Sequence, residues 1–175
     1  MKETLIDLKN RRSCRKYLPQ QISDDELNAI LAAGTYAPTG MNRQAPVIVV
    51  VQNPETIARI SKINAEIMGC SSDPFYGAPT LLVVLADRRA CHTWREDGAL
   101  VMGNLLNAAH AVGVASCYIY RAKECFERPE GEELLKEWGL DDNYTGVGNC
   151  ILGYAAEGGI KAPAPRKENY IIRAK

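Results

Sequence analysis

Residues 97–120, DGALVMGNLLNAAHAVGVASCYIY, hold a helix, its stop and a strand in one run, and the fold follows from how that run must be covered. Leu100, Val101, Met102, Leu105, Leu106, Ala108, Ala109 and Val112 leave the helix almost no polar face. A helix apolar nearly all round needs cover on nearly all sides. The chain's own sheet can close one side. The other is closed either by a second subunit, with Gly98, Ala99 and Gly103 allowing close approach, or by further elements of the same chain. Thr93 with Glu96 three residues later forms a capping box that starts this helix, and Gly113 stops it. Residues 115–120 follow as a strand.

Upstream, VIVVV (47–51) and LLVVL (81–85) are continuous apolar runs, the pattern of strands buried on both faces. Pro54 opens a helix over residues 54–68. Ser23 and Glu26 make another capping box, with Gly34 placed as the helix stop. Residues 1–10 form a short amphipathic helix with Leu5 and Leu8 inward. Downstream, residues 131–138 are helical and residues 147–154 form a fourth strand. The tail, 158–175, carries Pro163, Pro165 and the pair Ile171-Ile172, and reads as extended, adding an edge strand. Strands and helices in this order predict an α/β or α+β sandwich. Without repeats, low-complexity tracts or linkers, residues 1–175 read as a single domain.

The chain's 175 residues suffice for one sizeable core. Lys plus Arg and Asp plus Glu each total 21, so no global field draws in nucleic acid. No apolar run approaches the roughly 20 residues of a membrane helix. The charged start Met1-Lys2-Glu3 is not a signal peptide, so a cytoplasmic location is expected. None of the six cysteines makes a CxxC, and His92 and His110 lack ligand spacing, so no metal is expected. Cys117 and Cys150, in apolar runs, read as buried small hydrophobes. Gly146-Val147-Gly148 is followed by Gly153, so GxGxxG and its nicotinamide site are absent, as is a GxSxG nucleophile.

Two basic clusters remain: Arg11, Arg12, Arg15 and Lys16, and at the far end Arg166, Lys167, Arg173 and Lys175. Their size suits one phosphate group better than a polymer; the alternative is a solvated face. RRSCRKY (11–17) runs into Pro19 and should be extended. Alternate residues of an extended chain share a face, so Arg11, Ser13 and Arg15 align two guanidinium forks and a hydroxyl. Phosphate accepts charge-assisted, bidentate hydrogen bonds from such groups. APTGMNRQAP (37–46) is a loop entering a strand. Its short hydroxyl and amide groups can hydrogen-bond a heterocycle, or serve ordinary turn chemistry.

RRSCRKY, APTGMNRQAP, the 97–120 run, ILGY (151–154) and PAPRKENYI (163–171), in this order, make the chain resemble the nitroreductase family of FMN-dependent oxidoreductases, among its shorter members. The resemblance implies an α+β fold: a three-layer α/β/α sandwich with a mixed, mostly antiparallel sheet, and FMN at a homodimer interface. It implies Arg11 and Ser13 on phosphate and ribityl, Arg12 nearby, and Arg15 beside the flavin N1 and O2. Arg166 maps onto the phosphate, with Lys167 a second basic candidate. Pro38, Thr39, Gly40 and Asn42 match the loop reaching the other subunit's flavin. Tyr118, Ile119, Tyr120 and Arg121 match the strand end by the ring, and Asn64 an amide at the pyrimidine edge. No protein side chain is implied as a catalytic residue, since the flavin does the chemistry. The implied activity is hydride uptake from NADH or NADPH and ping-pong reduction of a nitroaromatic, quinone or similar small acceptor. Two departures matter: Cys14 stands at an often aliphatic position, and Tyr120-Arg121 replaces an acidic-glycine pair. The second keeps open an FMN storage or sensing protein. A ferredoxin-like donor also stays open.

Overall fold

In the computed structural model, which describes residues 2–174, four strands form an antiparallel sheet in the order β1 (Pro46–Val51), β2 (Thr80–Asp87), β4 (Tyr144–Gly153), β3 (Ala115–Ile119). The alternation of β2 divides the core. Leu81, Val83 and Leu85 meet Ile60 and Ile63 of α3 (Pro54–Met68), Phe126 of α5 (Ala122–Phe126) and Leu134 of α6 (Pro129–Glu137). Leu82, Val84 and Ala86 meet Ile30 of α2 (Asp24–Thr35) and Val101, Met102 and Leu105 of α4 (Trp94–Ala111). Helices therefore cover both faces, the three-layer α+β sandwich that the family resemblance implies. Among the described residues the one parallel contact is an isolated bridge, Ser13 to Ser116 beside β3, outside the four strands. Lys175, counted in the tail cluster, lies outside the described residues. Among those residues no helix is long and apolar enough to cross a membrane.

Several sequence expectations need correction. The run 47–51 is not buried on both faces: β1 is an edge strand, half-buried along most of its length, with Val50 exposed. Helix α1 (Glu3–Asn10) has no buried residue, and Leu5 and Leu8 are each about half exposed. Gly34 does not end α2. It sits inside the last turn, where an added Cβ would stand 2.6 Å from Leu105 Cδ2 and 3.0 Å from Ile48 Cδ1. Gly34 thus allows close approach of α2 to α4, not a left-handed cap. Thr93 is the N-cap of α4 without a side-chain bond: the chain enters through a turn at φ −88°, ψ 14°, and its hydroxyl lies 3.0 Å from Cys91 Sγ. The five-residue α5 escaped the sequence reading because little more than one helical turn is too short for a repeating apolar pattern to show. Beyond Ile160, which bridges Cys14, the tail forms no strand. Proline at 163 and 165 removes two donors, and Tyr170, Ile171 and Ile172 stay exposed.

The Ser23 capping box forms as read: Glu26 N–H donates to Ser23 Oγ at 3.2 Å, and Ser23 N–H to Glu26 Oε2 at 2.8 Å. The Tyr154 hydroxyl also donates to Glu26 Oε2, at 2.7 Å. That bond, then those from Ser23, holds the Glu26 carboxyl below its ordinary range. A lowered folded value stabilises above the ordinary carboxylate range, and the gain disappears as pH falls through the lowered value. Ser23→Ala should cost about 1 kcal/mol, a fall in Tm of roughly 2–4 °C for a domain of this size, measured by thermal unfolding at pH 7.

Candidate functional site

The segment after α1 is extended and is held by isolated bridges, Ser13 to Ser116, Cys14 to Ile160 and Tyr17 to Ala155. Arg11 N–H donates to Asp7 O at 2.8 Å, and the Arg12 guanidinium donates to Lys9 O at 2.5 Å and Arg11 O at 2.7 Å. Arg12 therefore ties down the C-terminal carbonyls of α1, and its Nε is buried without a partner. The chain then lies beside β3. Cys14 N–H donates to Ser116 O and Arg15 N–H to Gly159 O, both at 2.9 Å. Cys14 points inward and is fully buried. Its neighbours Ser13, half-buried, and Arg15, exposed, take the opposite direction.

On that outer side a crevice of about 710 Å³ is lined by Arg11, Arg12, Ser13 and Arg15, and by Lys161 and Arg166 from the far end of the chain. Lys9 joins them, and no carboxylate is among the lining residues. Among the described residues none of these cations makes an ion pair. Arg166 donates only to Ala164 O, at 2.7 Å. Clustered guanidinium groups left without counter-charge repel one another, and a bound dianion relieves that repulsion. Lys167 turns away, its ammonium 5.4 Å from the centroid of the Tyr170 ring.

The far end of β3 forms a different crevice, lined by Tyr118, Tyr120, Arg121, Arg95 and Val147 among others. The Tyr118 hydroxyl donates to Val147 O at 2.7 Å. Its ring lies flat against Gly148, where a Cβ would stand 2.6 Å from it. Burial first, then the neighbouring Tyr120 phenol, raises the Tyr118 pKa, so it stays a donor at neutral pH. Tyr120 is exposed, Ile119 is buried, and Arg121 takes a left-handed φ of 75°. Asn64 lies fully buried behind this end, its Nδ2 donating to Tyr120 O at 2.8 Å, while Oδ1 has no partner. In this conformation Asn64 fixes the strand end from behind, without a surface a ligand could touch.

The 38–42 loop stands elsewhere. Thr39 lines a third crevice with Pro46, Ile48 and Val50 of β1 and with Val101. Gly40 N–H donates to the buried Asp97 Oδ1 at 3.0 Å, and a Cβ on Gly40 would run into Thr93 and Cys91. Thr39 Oγ1 accepts from Gln44 N at 3.1 Å. Met41, Asn42 and Gln44 hold positive φ, a concentration of strain that well-fixed functional loops carry. Within one chain, then, Arg11, Arg12, Ser13, Arg15 and Arg166 come together, and so do Tyr118, Tyr120 and Arg121. Pro38, Thr39, Gly40 and Asn42 join neither group. Sequence reasoning missed Lys9 and Lys161 in the basic crevice, and Asp97 as the anchor of the loop. The one signal for Asp97 was an acid at the start of an otherwise apolar helix.

A profile of the nitroreductase family matches residues 8–69. A curated relative from Archaeoglobus fulgidus, provisionally named NADH dehydrogenase/NAD(P)H nitroreductase, is 30% identical over 159 residues, spanning 88% of this chain and 86% of its own. A solved nitroreductase with bound FMN from Bacteroides fragilis superposes with a TM-score of 0.91 at 31% identity, covering 100% of both chains. Another with bound FMN, from Desulfitobacterium hafniense, gives 0.88 at 28% identity, again over 100% of both.

Proposed function

The chain belongs to the nitroreductase family, and from that membership we propose that it is a single FMN-binding domain, working as a homodimer that shares two flavin sites. The observation that carries this reading is the basic crevice, where six cations from both ends of the chain meet a hydroxyl and no carboxylate. That donor set fits a dianionic phosphate. Arg11, Ser13 and Arg166 would hold the phosphate and ribityl chain, with Arg12 Nε available beside them. Arg15 would lie toward N1 and O2, and Tyr118, Ile119, Tyr120 and Arg121 would border the ring. Pro38, Thr39, Gly40 and Asn42 lie apart from both groups and would serve the flavin of the second subunit. Lys167 has no place in the crevice in this conformation.

Bound there, FMN would supply hydride uptake from NADH or NADPH and delivery of electrons to a nitroaromatic, quinone or similar acceptor. Both need the same flavin face, which makes the kinetics ping-pong. The chain's own work is binding, alignment and electrostatics. Arg15 would place a fixed positive charge where reduction makes the ring negative. A charge contribution of roughly 1–3 kcal/mol at a partly solvated site corresponds to roughly 20–60 mV for a two-electron couple. Arg15→Gln should lower the flavin midpoint potential by that amount, read by dye-equilibrated anaerobic titration. Anaerobic stopped-flow mixing of flavin-loaded protein with NADH and with NADPH tests the activity. Rapid bleaching of the flavin band with either donor supports it, and a flavin that stays oxidised with both rejects nicotinamide-driven turnover.

A further inference from the structure

We propose that the crevice at the end of β3 is an anion-selective rim, so that the acceptors reduced beside it are aromatic rings carrying a carboxylate or sulfonate. The proposal rests on the flavin reading above and adds the substrate class. The crevice holds about 470 Å³. Its cations are Arg95, from the first turn of α4, and Arg121 and Lys123. Lys123 is already paired with Glu127 at 3.2 Å. Arg95 rests on Trp94, its guanidinium carbon 5.0 Å from the ring centroid, and makes no ion pair among the described residues. Arg121 likewise makes no hydrogen bond through its side chain and no ion pair among them. Against these two free guanidinium groups stands one lining carboxylate, Glu124, whose Oε2 is buried without a partner. The free cations outnumber it two to one.

The backbone at Arg121 adds an independent argument. Its φ of 75° is a conformation that costs a residue with a Cβ about 1–2 kcal/mol and costs glycine almost nothing. Gly146 of β4 presses so closely on the Ala122 backbone that a Cβ there would overlap it. A residue with a side chain in a conformation that glycine holds without strain marks a candidate functional position. Tyr118 and Tyr120 line the same crevice. The exposed ring of Tyr120 offers a stacking surface, and planar guanidinium forks match a carboxylate or sulfonate. A neutral ring would gain the stacking alone.

The test uses flavin-loaded protein with 4-nitrobenzoate and its neutral counterpart 4-nitrobenzamide. Two partly exposed guanidinium contacts should favour the carboxylate about 10-fold in kcat/KM at low ionic strength. That preference should shrink toward unity in 0.5 M salt. Arg121→Gly, which keeps the backbone shape, and Arg95→Gln should each lower the carboxylate-to-amide ratio about 3-fold. Equal use of the two compounds by the wild type, or a ratio unchanged in both variants, overturns the proposal. The 2′-phosphate of NADPH carries the same charge. An NADPH-to-NADH ratio that falls in the variants while the acceptor ratio holds also overturns it as stated. Turnover of 4-nitrobenzamide reports separately on the flavin reading. If neither compound turns over, calorimetric binding of the two still decides the inference, and equal affinities reject it.

Discussion

Arg11→Ala combined with Arg166→Ala should yield a folded protein that is colourless as purified and binds added FMN at least 100-fold more weakly. The two arginines come from opposite ends of the chain yet line one crevice without a carboxylate. Hydrogen bonds to a charged group contribute roughly 1.5–3 kcal/mol each. Losing two therefore costs roughly 3–6 kcal/mol, or about 10²–10⁴-fold in affinity. The loss should fall on the phosphate alone, so riboflavin, which lacks it, should bind the variant and the wild type alike. Quenching of flavin fluorescence measures both ligands. An FMN affinity within 3-fold of wild type would remove the basic crevice from the account. Neither side chain is buried in the core, so unfolding is not the expected cause, and the far-ultraviolet dichroism should be unchanged.

Leu100→Glu should convert a dimer to a monomer and strip the flavin with it. The inner face of α4 packs on the sheet through Val101, Met102 and Leu105. Its outer face leaves Leu100 47% exposed, and a Cβ added to Gly103 would meet nothing within 4 Å. Leu5, Ile6, Val50, Ile171 and Ile172 are exposed as well. In the proposed homodimer these exposed apolar side chains would be covered by the second subunit, and permanent homodimers bury roughly 2,000–5,000 Å². A carboxylate in the middle of such a contact has no partner and costs several kcal/mol. Light scattering should give the mass of one chain, and if the 38–42 loop serves the second subunit's flavin as proposed, FMN affinity should fall by at least 100-fold. A variant that stays dimeric would place the interface elsewhere.

What the sequence made legible was whatever a single chain decides locally. The Ser23 box, Pro54 at the start of α3, the Gly113 stop and the β2 run need only nearest neighbours, and all stand where the residues imply. The readings that failed depended on what covers an element. VIVVV looks the same whether buried on two faces or one, and only the sheet order makes β1 an edge. Leu5 and Leu8 are spaced for burial, but the chain leaves both about half exposed. Gly34 is a helix stop by type and a helix contact by position. The RRSCRKY alternation put Arg11, Ser13 and Arg15 on one side, and all three line the basic crevice, but Arg12 lines it too, which alternation alone does not give. The partnership with Arg166 across more than 150 positions was legible only through resemblance. Lys161 and the Asp97 tie to Gly40 carried no local signal strong enough to find them.

A flavin gripped between two copies of the chain is tested most directly by light scattering coupled to visible absorbance on the protein incubated with FMN and freed of excess. A yellow species of twice the chain mass, carrying two FMN per dimer, is the predicted result. A colourless species of single-chain mass would contradict it.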